Sequence, residues 1–292
     1  MPDTDDRRLT DPATRLERRP AFPPAPSERL DAIVLVHGAW VGEWCWTPVL
    51  PLLRASGRPV HAVSLRGHGA RRHESGPHIT LADHVDDLVG LVEAYDLAEI
   101  TLVAHSYGGR VVTRALPRLA GRVRRLVYLD AHAPLLDGAG TAGSTDATTD
   151  STHDAGMVPF GEFEPDVVEF GDDAAVRWFR ERVVAQSAAT LRESLDALVD
   201  ETIESIERTY VHATGDRSDR FRAYASAARA DPDWRYHELA GSHWLMISHP
   251  DEVAAIILGP VTVTPDRTPD VNPDDPPDDT SARDRRENAS CS

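Results

Sequence analysis

Short continuous apolar runs alternate along this chain with longer stretches in which apolar positions recur at three- and four-residue spacing. The runs at 31–37, Val60–Leu65, Ile100–Val103, Val123–Leu129, Tyr210–Thr214 and Trp234–Leu239 read as strands. Those at Ala32–Val36 and at Ile100, Leu102 and Val103 are almost wholly apolar, as expected of central strands covered on both faces. Between them, helical spacing is predicted at about Thr47–Ala55, with Pro48 in its first turn, and after Thr80 through Leu81, Val85, Leu88, Val89 and Val92. It recurs over Arg110–Leu119, near Phe221–Ala230, and over Asp251–Leu258 through Val253, Ile256 and Ile257. Thr80 has the residue type and place of an N-cap. Repeated strand-then-helix units imply a mostly parallel sheet with helices on both faces and sites at the carboxyl ends of its strands.

The alternation stops after Ala131. Leu135–Met157 is rich in Gly, Thr, Asp and Ser, and 166–200 then carries helical spacing through Val176, Phe179, Val183, Leu191, Leu195 and Leu198. An insertion of loop plus helices here, at about 133–205, would form a lid over the strand ends. Both ends of the chain lack this patterning. Residues 1–28 end in a proline-rich stretch with no apolar core behind Arg7-Arg8, and 261–292 is a run of Pro, Asp, Thr and Arg. Both are expected to be disordered arms flanking one domain at 29–260.

Ile100-Thr-Leu-Val-Ala-His-Ser-Tyr-Gly-Gly109 organises the rest, because an apolar strand here breaks at a serine between small residues and a helix begins at once. Ala104-His105-Ser106-Tyr107-Gly108 is one methyl away from G-x-S-x-G. Such an elbow lifts a hydroxyl above the sheet and aims the N–H groups of a helix start at the same point. Gly38 and Ala39, Asp130, Asp216 and His243 also lie just past predicted strands. A serine hydroxyl needs a base to take its proton, the base needs a carboxylate to fix its tautomer, and the oxyanion needs N–H donors. Ser106, one of the two aspartates, and His243 supply these in the order Ser, Asp, His, which is that of α/β-hydrolases.

Composition narrows the partners. A net charge of −17, with arginine as the sole basic residue besides histidine, disfavours nucleic acid and anionic membranes. No stretch approaches the ~18 to 20 apolar residues of a membrane span. Cys45 and Cys291 are far apart and suggest neither a disulfide framework nor a metal site, which fits a cytoplasmic protein. No metal or other cofactor is expected. His68, between two glycines, reads as loop packing, His84 as a satisfied core histidine, and His37 as a shaper of the Gly38-Ala39 loop.

Four segments together resemble one known family across nearly all of residues 31–258. They are His37-Gly-Ala-Trp with Gly42-Glu-Trp-Cys-Trp46; His105-Ser-Tyr-Gly-Gly109; Tyr210-Val-His-Ala-Thr-Gly-Asp216; and Gly241-Ser-His-Trp-Leu-Met-Ile-Ser-His-Pro250. The chain resembles the α/β-hydrolase branch of plant methylesterases, hydroxynitrile lyases and related bacterial esterases. That resemblance implies an α/β-hydrolase fold with a helical lid inserted after the sixth strand. It also implies Ser106 as nucleophile, Asp216 as acid, His243 as base, and the N–H groups of Ala39 and Tyr107 as oxyanion donors. Asp130 is the alternative acid, because some α/β-hydrolases carry it on the earlier strand. Trp40, Trp44 and Trp244 are candidates for a substrate pocket. Lyases of this branch carry lysine where Trp244 stands and threonine where Gly38 stands, so hydrolysis of a small carboxylic ester is the leading expectation. A lyase-type use of the triad and a catalytically quiet small-molecule receptor are the alternatives. A serine at 106 disfavours epoxide hydrolases and dehalogenases, whose nucleophile is a carboxylate.

Overall fold

Among the described residues, six parallel strands form the main sheet, in the order β2-β1-β3-β4-β7-β8. They are β1 (Ile33–Val36), β2 (Val60–Val63), β3 (Ile100–His105), β4 (Val123–Leu129), β7 (Glu207–Ala213) and β8 (Trp234–Leu239). The computed structural model describes residues 31–119, 121–135, 156–161, 165, 167–192, 206–215 and 220–259. The two terminal arms, Asp216, much of the insertion, and Leu195 and Leu198 lie outside the described residues.

Strand position follows side-chain chemistry. Every residue of β1 and β3 is buried, whereas β2 and β8 carry His61, Arg235, His237 and Glu238 at the two edges, where one flank meets water. The connecting helices are α1 (Leu50–Arg54), α2 (Leu81–Ala94), α3 (Gly108–Ala115), α7 (Arg222–Ala230), α8 (Leu245–Ser248) and α9 (Pro250–Leu258). In α2, Leu81, His84, Val85, Leu88, Val89 and Val92 form the buried face, and Thr80 and Asp83 close a reciprocal capping box at its start. The helix expected at Thr47–Ala55 is instead a 3-10 turn at Glu43–Trp46 followed by the short α1. Pro48 and Pro51 each remove an N–H donor, so a regular helix begins only where Pro51 falls in its first turn.

The insertion leaves the sheet after β4, which is the fourth strand among the described residues rather than the sixth, because only four apolar runs of strand length precede it from residue 31. Its described part holds α4 (Val167–Phe170), α5 (Asp173–Arg180) and α6 (Ala188–Arg192), and α5 buries Val176 and Phe179 as the spacing predicts. It also holds an antiparallel ribbon of β5 (Met157–Val158) and β6 (Gln186–Ser187), which periodicity did not suggest. Two residues per strand are too few to show alternation. Val183 belongs to the extended approach to β6 rather than to a helix. No helix among the described residues is long and apolar enough to cross a membrane.

Candidate active site

Ser106 follows β3 directly at φ +53°, a left-handed conformation that costs a non-glycine residue about 1–3 kcal/mol. Packing around the turn imposes it. The Ser106 carbonyl accepts from the N–H groups of Gly109 (3.1 Å) and His132 (3.2 Å), and its own N–H donates to Leu129 O (3.3 Å). The small residues after it are required by close approach. A Cβ at Gly108 would lie 2.8 Å from the carbonyl oxygens of Val36 and His37, and one at Gly109 would overlap the His132 carbonyl. Helix α3 therefore starts hard against the strand ends, with Tyr107 at its N-cap and its positive pole beside Ser106.

The loop after β1 runs against the same serine. A Cβ on Gly38 would fall 2.9 Å from Ser106 Cβ and 2.8 Å from His105 Nδ1, so this backbone tolerates no side chain without movement. Ala39 is buried, and among the described residues its N–H donates to no protein acceptor. Buried amides are rarely left in that state, and where they are, a ligand oxygen commonly completes them.

The sheet register sets the carboxylate. His105 pairs with Leu129 and Leu129 with Val211, so the next residues, Ser106, Asp130 and His212, emerge side by side at the carboxyl end of β3, β4 and β7. Asp130 is fully buried at φ +42°, and its Oδ2 lies 2.7 Å from His243 Nδ1. Its Oδ1 accepts from the Ala213 N–H (3.3 Å) and faces His212 Nδ1 at 3.5 Å. Burial alone would push this carboxyl up, but His212, His243 and the Ala213 N–H together outweigh it and hold the pKa below the usual carboxylate range. Asp130 thus occupies the contact that the family pattern assigned to Asp216, and Asp216 itself lies outside the described residues.

An ionised carboxylate only accepts, so the His243 proton sits on Nδ1 and Nε2 is left as a proton acceptor. The ring stacks on Phe221 at an interplanar angle of 2°, with centroids 5.1 Å apart, and the main chain that carries it is held by His105, whose Nε2 donates to the His243 carbonyl at 2.9 Å. His105 is a supporting residue that motif reading passed over as part of the elbow. Its place beside Ser106 was the available signal.

Three further histidines near the site, His84, His37 and His68, are structural in their contacts. His84 Nε2 donates to Arg66 O (3.0 Å), so its Nδ1 accepts from the Tyr107 hydroxyl (2.8 Å). His37 takes the Leu65 N–H on Nε2 (3.3 Å) and directs Nδ1 to Gly38 O (2.8 Å). His68 lies with Nδ1 3.0 Å from Arg66 O and Nε2 2.6 Å from Gln186 Oε1 of the insertion. The three tryptophans all meet insertion aromatics: Trp40 against Phe160, Trp44 against Trp178 and Phe179, Trp244 against Phe179 and Phe160. Trp244 is almost wholly buried in this contact.

Burial holds His37, His105 and His132 well below the ordinary imidazole value, and His84 falls to about 3. Each folded-state pKa lies under the unfolded value of 6.5, so the unfolded chain binds more protons below that pH. Stability is therefore complete above pH 6.5 and declines as pH falls towards 3, by on the order of 1 kcal/mol per pH unit for each such histidine. The melting temperature should drop steeply between pH 6.5 and 4.5. A flat profile across that interval would contradict the neutral, buried state of these rings.

A parallel sheet carrying a serine elbow, a buried Asp-His pair and an open backbone amide at its carboxyl end defines an α/β-type hydrolase architecture. The chain belongs to the alpha/beta hydrolase family, whose profile matches residues 33–256. It is 34% identical to a carbendazim hydrolyzing esterase of Nocardioides sp. (strain SG-4G), over 76% of this chain and 96% of that protein. It is also 34% identical to methyl jasmonate esterase 1 of Vitis vinifera, though that match spans only 35% of this chain and 39% of the relative. Among solved structures, an extracellular alpha/beta-hydrolase from a Paenibacillus species superposes with a TM-score of 0.61 at 21% identity, covering 78% of this chain and 98% of that one. Tomato methylketone synthase I gives 0.62 at 19% identity, covering 78% and 96%, so the fold carries more than one named activity.

Proposed function

We propose that this protein is a cofactor-free serine hydrolase of small carboxylic esters, working through Ser106, His243 and Asp130. The observation that carries this reading is the 2.7 Å contact between His243 Nδ1 and Asp130 Oδ2 in a fully buried setting, beside a serine held in a left-handed turn. Ser106 Oγ attacks the ester carbonyl as His243 Nε2 takes its proton. The N–H groups of Ala39 and Tyr107 receive the oxyanion, and His243 returns the proton to the departing alcohol. Water then hydrolyses the acyl-enzyme by the same groups in reverse. Trp40, Trp44 and Trp244, which meet aromatic residues of the insertion, are the proposed apolar wall for the substrate. The substrate is a small molecule, and the reading includes a cytoplasmic location, which the buried free thiol of Cys45 supports.

The lyase alternative is tested by one pair of assays. Cyanohydrin cleavage needs a cation to receive cyanide, and the buried Trp244 offers only a neutral N–H at the position where lyases place lysine. Gly38 likewise has no room for the lyases' threonine. A short-chain aryl ester should be hydrolysed, while mandelonitrile should release cyanide no faster than without enzyme. Ser106-dependent cyanide release with esters untouched would replace the esterase reading by the lyase one.

A further inference from the structure

We propose that Gln186 is a positioning residue for this reaction, delivered by the insertion to hold Trp40 and through it the adjoining Ala39 amide; the proposal rests on the serine-hydrolase reading above. Trp40 stands at φ +63°, a costly conformation for so bulky a residue, and the strain falls on the peptide next to the amide assigned to the oxyanion. What holds it there comes from the insertion. The Trp40 N–H points to Gln186 Oε1 (3.4 Å), the Trp40 carbonyl accepts from Val184 N–H (2.8 Å), and the indole N–H donates to Val158 O (3.0 Å).

Proton counting fixes which way the Gln186 amide faces. Thr190 Oγ1 donates its one hydrogen to Ser187 O (2.7 Å), so it can only accept from Gln186, whose Nε2 lies 2.5 Å away. The oxygen of the amide then faces Trp40 N–H and His68 Nε2, the latter at 2.6 Å, and a neutral His68 gives its single ring proton to that oxygen from Nε2. Gln186 is fully buried, so no water substitutes for it. A residue of the insertion thus binds the Trp40 N–H and His68 together in a buried set of hydrogen bonds.

The experiment measures ester hydrolysis per active site, with sites titrated to completion by a fluorophosphonate, in the wild type, Q186L, Q186E and T190V, and per mole of folded protein in Ser106→Ala, which has no site to titrate. Removing an oxyanion donor outright costs about 10²–10³ in kcat, so loosening one should cost Q186L about 10- to 100-fold, with KM changed less than about threefold. Q186E keeps an oxygen towards Trp40 N–H and should recover most of that loss. T190V, which frees the amide to turn, should lower kcat in the same direction by a smaller factor and serves if Q186L does not fold. Wild-type kcat per titrated site in Q186L or T190V, or a loss confined to melting temperature and titratable fraction, overturns the proposal. A rise in KM alone also overturns it, since that marks a substrate contact. Ester hydrolysis surviving in Ser106→Ala instead overturns the underlying reading.

Discussion

Ser106→Ala is expected to fold like the wild type and to lose ester turnover by on the order of 10⁶-fold. The elbow is held by backbone bonds to Leu129, Gly109 and His132, none of which uses the hydroxyl, so the deletion removes one oxygen from a turn that needs only a small residue. Removal of a triad nucleophile costs about that factor in a serine hydrolase, and the residual rate comes from the oxyanion donors and binding. Covalent labelling by a fluorophosphonate should disappear with turnover, while melting temperature changes little. A mutant that kept most of its activity would move the nucleophile elsewhere.

Asp130→Asn is the second large effect, expected at about 10⁴-fold in kcat. The amide keeps an oxygen for the Ala213 N–H but can turn an NH₂ towards His243 Nδ1, which then becomes an acceptor. The imidazole proton moves to Nε2, the atom that must take the Ser106 proton, and the base is lost with little change of shape. Asp216→Asn provides the comparison and should have a much smaller effect. The reverse ranking would return the acid to Asp216. Thermal melts of both variants are needed, since Asp130 also ties β4 to β7 through the Ala213 N–H.

Local information made most of the fold readable. Continuous apolar runs become central strands because both faces of a parallel sheet are covered, and β1 and β3 are buried at every position. Thr80 and the apolar face after it mark α2 because a cap and a 3.6-residue period are properties of the helix itself. The elbow is equally legible, since only small residues fit where α3 meets β1 and the His132 carbonyl. The helix expected over Thr47–Ala55 is shortened to α1 at Leu50–Arg54, because Pro48 and Pro51 remove donors, and the β5–β6 ribbon is too short to leave a period.

The amino-acid sequence by itself determined the class: a parallel α/β protein with a serine on a strand-to-helix turn and a histidine past the last strand. It left two aspartates for one role, because chemistry and position past a strand were the same for both. Among the described residues it is Asp130 that meets His243. Asp130 and His243 lie 113 residues apart, and their contact depends on β3, β4 and β7 pairing in register, on Phe221 stacking on the imidazole and on His105 holding the His243 carbonyl. The place of Gln186 was likewise invisible along the chain. A buried amide gains its meaning from the strained peptide and the imidazole it faces, and those partners come from loops 146 and 118 residues away.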